Sequence, residues 1–143
     1  MDGAEVATGI TSTSYTKTGL NTGTSYVFSV KARNSFGYSI SSSEITILAG
    51  EVPDAPTSLV QGFVTKTEAS FSWTAPSDDG GDTVIDYTIE MDGTEVATGI
   101  TITSYTQTGL TTGNTYVFTV EARNRVGLSV SSSIFSIIPA TIP

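Results

Sequence analysis

Apolar and polar residues alternate along two neighbouring stretches in the middle of the chain. In the first stretch, Phe71 and Trp73 alternate with Ser70 and Ser72. One face of the second stretch is apolar and consists of Ile85, Tyr87, Ile89 and Met91. The other face is polar and consists of Asp86, Thr88 and Glu90. Such alternation predicts two half-buried strands. A turn at 75–81, which contains Pro and Gly, separates them, so their apolar faces can form one half of a core.

Similar short runs continue to the end of the chain and are separated by turn signals such as Asp92-Gly93 and Thr112-Gly113. No stretch has the period of a helix. We predict seven strands, at 57–62, 67–74, 83–91, 95–98, 104–110, 114–123 and 133–138. Short strands with a turn signal about every 8–12 residues indicate an all-β, antiparallel sandwich.

An internal repeat sets the domain organisation. Residues 1–50 align without a gap with residues 91–140, and about 32 of the 50 aligned positions are identical. A period near 90 is typical of tandem sandwiches. We therefore expect 53–143 to be one complete domain and 1–52 to be the last four strands of a preceding one. Because Met1 aligns with Met91, inside a repeat, we also expect Met1 to be an internal position and not a natural N-terminus.

Several motifs occur together in the complete repeat. They are Pro56 and Leu59, Trp73 with Ala75-Pro76, Asp78-Asp79-Gly80-Gly81, Tyr87-x-Ile89-Glu90, Leu110 before Tyr116, and Ala122-Arg123-Asn124 with Gly127. Together they resemble the pattern of a fibronectin type III domain. The resemblance implies a seven-stranded, antiparallel, Ig-like β-sandwich, here in tandem. It also implies structural roles, for Trp73, Tyr87, Leu110 and Tyr116 in the complete repeat and for Leu20 and Tyr26 in the first. The Tyr116 hydroxyl would bind a nearby backbone group.

Composition excludes several classes of function. The net charge is -8, and the chain has neither His nor Cys. Nucleic-acid binding needs clustered Lys and Arg, so we expect no nucleic-acid partner. Without His or Cys the chain has no Ser-His-Asp or Cys-His catalytic group and no thiolate metal site. No stretch approaches the roughly 20 apolar residues of a membrane helix. We expect a protein that is not an enzyme and has no cofactor.

Clustered carboxylates are the one candidate for site chemistry. Asp78, Asp79 and Asp82 could hold calcium, which prefers several oxygen ligands, but Asp and Gly also occur together in ordinary turns. We favour the turn and expect Asp86 and Glu90 to point outward from a strand. A pair of glycosidase carboxylates would need a cleft, which the pattern does not indicate. Arg123 and Arg125 are expected to be solvated, whereas the alternation leaves the roles of Tyr15 and Tyr105 open.

The first repeat carries an apolar face without a partner. This face comprises Tyr26, Phe28, Val30, Ile45 and Ile47, and the strands that would cover it have no counterpart before Met1. Each exposed side chain of this size forgoes roughly 1.5–3 kcal/mol of burial free energy. Our hypothesis is that strands from outside this chain cover the face, as in a longer array or filament. The alternative is a truncated module.

These features favour a structural spacer repeat in an extracellular or cell-surface array, with neighbouring repeats or self-association as its contacts. One alternative is an adhesion module that binds protein or glycan through the loop at 124–132, where Arg125, Val126 and Leu128 replace the Ser35, Phe36 and Tyr38 of the first repeat. A second alternative is an accessory spacer of a secreted carbohydrate-active enzyme. An intracellular array of the muscle type is a third.

Overall fold

The computed structural model describes residues 3–141, and the chain divides into two compact units, 1–50 and 51–143. The described part of the first unit, 3–50, has four short strands, namely β1 (Ser25–Phe28), β2 (Arg33–Asn34), β3 (Gly37–Tyr38) and β4 (Ile45–Leu48). Residues 51–141 of the second unit form seven strands, namely β5 (Thr57–Val64), β6 (Glu68–Thr74), β7 (Asp86–Met91), β8 (Thr94–Ile100), β9 (Ser104–Thr108), β10 (Tyr116–Arg123) and β11 (Phe135–Ile137).

The second unit is an antiparallel sandwich. One sheet has the order β11-β10-β7-β8 and the other the order β5-β6-β9, and every pairing is antiparallel. The all-β, Ig-like fold predicted from the alternating pattern is confirmed. The seven observed strands overlap the seven predicted ones, although their ends differ by as many as three residues. Strand ends are set by pairing with neighbours, which alternation alone does not reveal.

The core of the second unit lies between the two sheets and is centred on Phe71. Its ring centroid lies 4.9 Å from that of Phe118, 5.9 Å from those of Trp73 and Phe135, and 6.0 Å from that of Tyr105. The buried part of the core consists of Ala69, Phe71, Trp73, Tyr87, Ile89, Leu110, Phe118, Val120, Ala122 and Ile137. Aromatic side chains from both sheets thus pack on one another, which adds to the free energy of apolar burial.

The prediction of an outward polar face on β7 was wrong. Asp86 and Thr88 are only 5% and 4% exposed, whereas Ile85, which we predicted to share the apolar face, lies before the strand and is 46% exposed. The reason is the central position of β7, between β8 and β10. Neighbouring side chains cover its second face, because Thr88 forms a hydroxyl hydrogen bond of 3.0 Å with Thr98 and Asp86 pairs with Arg123.

The first unit contains two separate two-stranded pairings, β1 with β4 and β2 with β3. Residues 3–24 form no strand, although they repeat the sequence of β8 and β9 closely. The sequence Val-Ala-Thr-Gly-Ile occurs at 6–10 and at 96–100, yet only the second copy is in a strand. In the second unit β8 pairs with β7, and β9 pairs with β6. Residues 3–50 contain no counterpart of β6 or β7, and a strand needs such a partner.

Substitution of Phe118 by Ala tests how far the core depends on both sheets. Phe118 is fully buried against Phe71, so we expect Phe118→Ala to lower the free energy of unfolding by about 3–5 kcal/mol. The measurement is urea unfolding followed by the fluorescence of Trp73, the single tryptophan. The matched control is Phe28→Ala at the equivalent position of the first unit, which should leave this transition unchanged. Equal loss in both variants would contradict the account.

Candidate functional site

A network of polar groups in the second unit surrounds the turn at 78–82. Asp78 and Asp79 each accept a hydrogen bond through Oδ1, from the N–H of Gly80 at 2.8 Å and of Gly81 at 2.9 Å. Carboxylates that bind the backbone two residues further on are typical of Asx turns. Two of the three calcium candidates therefore stabilise the turn itself.

This turn holds residues 51–54, which we call the lead segment. The Glu51 N–H donates to the Gly80 carbonyl and the Asp54 N–H donates to the Asp78 carbonyl, both at 2.9 Å. Gly80 has a φ of 74°, and a Cβ at this position would lie 2.1 Å from the Glu51 carbonyl oxygen. Only glycine allows this approach without strain, so the turn sequence and the path of the lead segment depend on each other.

Asn124 joins the lead segment to the turn and to strand β10. Its side-chain Nδ2 donates to the carbonyls of Glu51 at 2.7 Å and Asp79 at 2.8 Å. Its Oδ1 accepts from the N–H groups of Val126 at 2.9 Å and Gly127 at 3.1 Å. Asn124 is only 2% exposed, so a buried amide with satisfied partners fixes three segments at one point. This role of Asn124 is not evident from the sequence, where the residue is recognisable only as part of the Ala122-Arg123-Asn124 motif.

Two ion pairs flank Asn124. The Arg125 guanidinium donates to both carboxylate oxygens of Asp82, at 2.9 and 2.8 Å, and the Arg123 guanidinium likewise contacts both oxygens of Asp86. These hydrogen bonds from arginine lower the pKa of both carboxyl groups below the ordinary value of 3.8. The two arginines were expected to be solvated. Their side chains are indeed 46% and 70% exposed, but each is paired with a buried carboxylate.

The three calcium candidates are not brought together as a metal site. Asp78 and Asp79 accept backbone hydrogen bonds within the turn, and Asp82 pairs with Arg125. Among residues 3–141, no group of three or more acidic, His or Cys side chains is arranged to hold a metal ion. The turn chemistry of Asp and Gly therefore accounts for this acidic stretch without a cation.

The predicted structural residues of the second unit lie in or beside its core. Trp73, Tyr87 and Leu110 are 5%, 5% and 4% exposed. The Tyr116 hydroxyl accepts a hydrogen bond of 3.0 Å from the Thr111 N–H, which lowers the pKa of Tyr116. The Tyr26 hydroxyl accepts the equivalent bond, also of 3.0 Å, from the Asn21 N–H in the first unit, where Leu20 is half-buried.

The two tyrosines whose roles the sequence left open differ from each other. Tyr105 packs edge-on against Phe71 in the core and donates its hydroxyl proton to Gln107 Oε1 at 2.9 Å. Tyr15 is 48% exposed. Tyr105 is thus a core residue with a satisfied hydroxyl, whereas Tyr15 is a surface residue.

Two depressions of the described surface lack the groups needed for hydrolysis. One, of about 450 Å³, is lined by Gly99, Ile100, Thr101, Ile102, Ser104, Tyr105 and Thr106. Glycoside hydrolysis requires two carboxylates on opposite sides of the substrate, and this lining has none. The other, of about 350 Å³, lies on the hairpin at 32–39 of the first unit and has no carboxylate either.

The loop at 124–132 is tied to strand β10. The Ser129 and Ser132 hydroxyls accept hydrogen bonds of 3.0 Å from the N–H groups of Ala122 and Val120. Its exposed apolar residues include Val126 at 49% and Val130 at 74%, and Arg125 and Ser131 are exposed beside them. A loop held in this way presents a fixed aliphatic surface to the solvent.

The equivalent hairpin of the first unit, 32–39, presents aromatic residues. Phe36 is 98% exposed and Tyr38 is 58% exposed. The Arg33 guanidinium carbon lies 5.7 Å from the centroid of the Tyr38 ring, within the range of a cation–π interaction. In the second unit the same positions carry Val126 and Leu128, which are still 49% and 44% exposed. Side chains here therefore remain accessible even in the unit with seven strands.

Comparison with known proteins identifies the family. The family model for the fibronectin type III domain matches residues 54–138. The chain is 36% identical to Chitinase A1 of Niallia circulans over 95% of this chain and 20% of that protein, and 31% identical to Exoglucanase B of Cellulomonas fimi over 92% and 13%. Among solved structures, titin domains A168–A170 match with a TM-score of 0.64 and 29% identity, over 81% of this chain and 40% of that one. The chain thus spans a fifth or less of these two enzymes.

The ion pairs predict how stability depends on pH. Because the pKa values of Asp82 and Asp86 are lowered by folding, their contribution is complete above about pH 5 and is lost as the pH falls through 3.8 and below. We expect the urea midpoint of the second unit to fall with pH in this range. In the double variant Asp82→Asn, Asp86→Asn the fall should be smaller, because these two groups no longer titrate.

The matched control for this measurement is Glu95→Gln, at an exposed position of β8. It should keep the wild-type pH profile. If the double variant and the control lose stability in parallel with the wild type between pH 5 and pH 2, the ion pairs do not couple folding to pH.

Proposed function

The chain belongs to the fibronectin type III family, and we propose that it is a non-catalytic spacer of a secreted protein that acts on a polysaccharide. The observation that carries this proposal is the match to Chitinase A1, which extends over 95% of this chain but only 20% of that protein. The matched part is thus a small portion of a much larger enzyme. The names of both enzymes refer to polysaccharides, chitin and a glucan.

The arrangement of polar groups supports the same proposal. The turn at 78–82 and Asn124 bind the lead segment through backbone carbonyls and N–H groups, so that the chain enters the second unit along a fixed path. A fixed path at the end of a domain favours a spacer, because it limits the directions in which the preceding chain can leave. The neighbouring carboxylates accept hydrogen bonds within the turn or form ion pairs, and they do not face each other across a cleft.

We propose two successive repeats, with 53–143 as a complete domain and 1–52 as the last four strands of another. The alignment of 1–50 with 91–140 supports this, as do the equivalent hydrogen bonds of Tyr26 and Tyr116. We further propose an extracellular location, because insoluble polysaccharides are found outside cells. Residues 3–141 contain no helix that is long and apolar enough to cross a membrane.

A second candidate function is polysaccharide binding at the hairpin 32–39. The exposed rings of Phe36 and Tyr38 favour it, because flat aromatic faces stack on the C–H faces of sugar rings. Arg33 and Asn34 also line the depression there and could donate hydrogen bonds to sugar hydroxyls. The loop at 124–132, which has aliphatic residues at the same positions, offers no such surface.

One experiment tests both candidates. The chain is mixed with colloidal chitin and with microcrystalline cellulose, and released sugar and unbound protein are measured. A pure spacer should release no reducing sugar and stay in solution. Release of sugar by the chain alone would contradict the proposed spacer.

Binding would favour the second candidate if it depends on the hairpin. Phe36→Ala with Tyr38→Ala should then abolish the depletion of protein from solution. The matched control is Val126→Ala with Leu128→Ala, at the same positions of the second unit. If both pairs of substitutions have the same effect, the aromatic hairpin is not the binding site.

A further inference from the structure

Strand β9 forms one edge of the sheet β5-β6-β9, and within 51–141 it pairs with no strand other than β6. We propose that this edge is an interaction surface for the β9 of a second copy of the chain. The two copies would pair antiparallel, so that their three-stranded sheets join into one continuous sheet. The inference goes beyond the proposed spacer function and does not depend on it.

Alternate residues of β9 direct their backbone groups to this edge. In an antiparallel pair, residues that hydrogen-bond to the neighbouring strand alternate with residues that do not. The Trp73 N–H donates to the Thr103 carbonyl at 3.1 Å, which places Thr103, and with it Tyr105, on the side that bonds to β6. The N–H and C=O groups of Ser104 and Thr106 therefore point to the free edge, where a further strand can bind them.

The other three sheet edges within 51–141 have features that hinder strand addition. β5 has two register shifts against β6, and its Ser58 has a φ of 54°. β8 has register shifts against β7 and carries Glu95, and β11 has only three residues. Bulges, charges and short length all disfavour pairing between sheet edges. β9, by contrast, has an unbroken register with β6 and contains no charged residue, Pro or Gly.

The distribution of charge suits a second copy as the partner. The net charge of the chain is -8, so two copies repel each other where their carboxylates meet. All five side chains of β9 are uncharged. The charged residue that pairs with β9 across the ladder is Glu68, which lies on β6, behind the free edge. Two copies can therefore approach at β9 without bringing carboxylates face to face.

Full overlap of two antiparallel copies determines the register. All five residues pair only when Thr106 lies opposite Thr106 of the second copy, which places Ser104 opposite Thr108 and Tyr105 opposite Gln107. Ser and Thr hydroxyls in such positions hydrogen-bond across strands. Within one copy the Tyr105 hydroxyl already donates to Gln107 Oε1 at 2.9 Å, so these two side chains are compatible as neighbours. The edge is thus self-complementary about a two-fold axis, as the interfaces of cyclic dimers are.

The surface beside the edge is open. The depression of about 450 Å³ is lined by Tyr105 and Thr106 together with Ile102, which is 63% exposed. In the proposed register the chain of the second copy beyond Thr108 would run beside this isoleucine. Burial of its side chain would add to the backbone pairing.

Opposite charges at the two-fold position test the surface and the register together. Thr106 is exposed, so Thr106→Lys and Thr106→Glu should each fold like the wild type, which urea unfolding followed by Trp73 fluorescence verifies. In sedimentation velocity the wild type should associate at concentrations up to about 1 mM, as weak transient interfaces do. The dissociation constant should rise about tenfold or more in each variant alone, because like charges then face each other, and an equimolar mixture of the two should restore association. Three results would overturn the proposal: no association of the wild type, association that neither variant weakens, or a mixture that associates no better than the separate variants.

Ser72 provides the matched control, because it is exposed on the same face of the sheet but lies on the central strand β6. Ser72→Lys and Ser72→Glu should leave association unchanged. The chain has no cysteine, so Thr106→Cys introduces a single thiol. Opposite residues of neighbouring strands have Cα atoms about 4.5–5.5 Å apart, a distance that a disulfide spans. Oxidised glutathione should therefore produce a covalent dimer of Thr106→Cys and little of Ser72→Cys. Equal yields of the two dimers, or equal weakening by the charges at both positions, would contradict pairing at the edge.

Discussion

Pairing between strands that are distant in sequence is the interaction on which the rest of this structure depends. A strand leaves backbone N–H and C=O groups unpaired and one apolar face uncovered until a neighbour joins it. The residues at 96–100 form part of β8 because β7 lies beside them, and the same five residues at 6–10 form no strand. The same five-residue sequence therefore forms a strand in the second unit and no strand in the first.

The polar contacts depend on the same pairing. Asp86 lies on β7 and Arg123 on β10, and their side chains meet because the two residues are partners in the ladder. Asn124, directly after β10, can then reach the carbonyls of the turn and of the lead segment. The fixed path of the chain into the domain, which supports the proposed spacer, is thus a consequence of sheet formation. The first unit lacks such a sheet. Arg33 in its hairpin lies over an aromatic ring instead of pairing with a carboxylate.

The sequence was sufficient for the fold class because alternation, turn signals and the motif around Trp73 and Tyr116 are local patterns. It was not sufficient for the second face of β7, where Asp86 and Thr88 are polar but buried. Polar residues in a central strand look outward-facing until their partners, Arg123 and Thr98, are known. The role of Asn124 was missed for the same reason, because its acceptors lie 45 and 73 residues earlier in the chain. The exposed aromatic residues at 36 and 38 were visible only as a difference between the repeats.

The most direct test of the central claim compares amide exchange at 6–10 with exchange at 96–100 in the intact chain. The two segments have the same sequence, so their intrinsic exchange rates are nearly equal and any difference reports structure. Pairing between distant strands predicts that amides in 96–100 are protected by about 100-fold or more and that those in 6–10 exchange at close to the unprotected rate. Equal protection of the two segments would contradict the account, since local sequence would then suffice to form the strand.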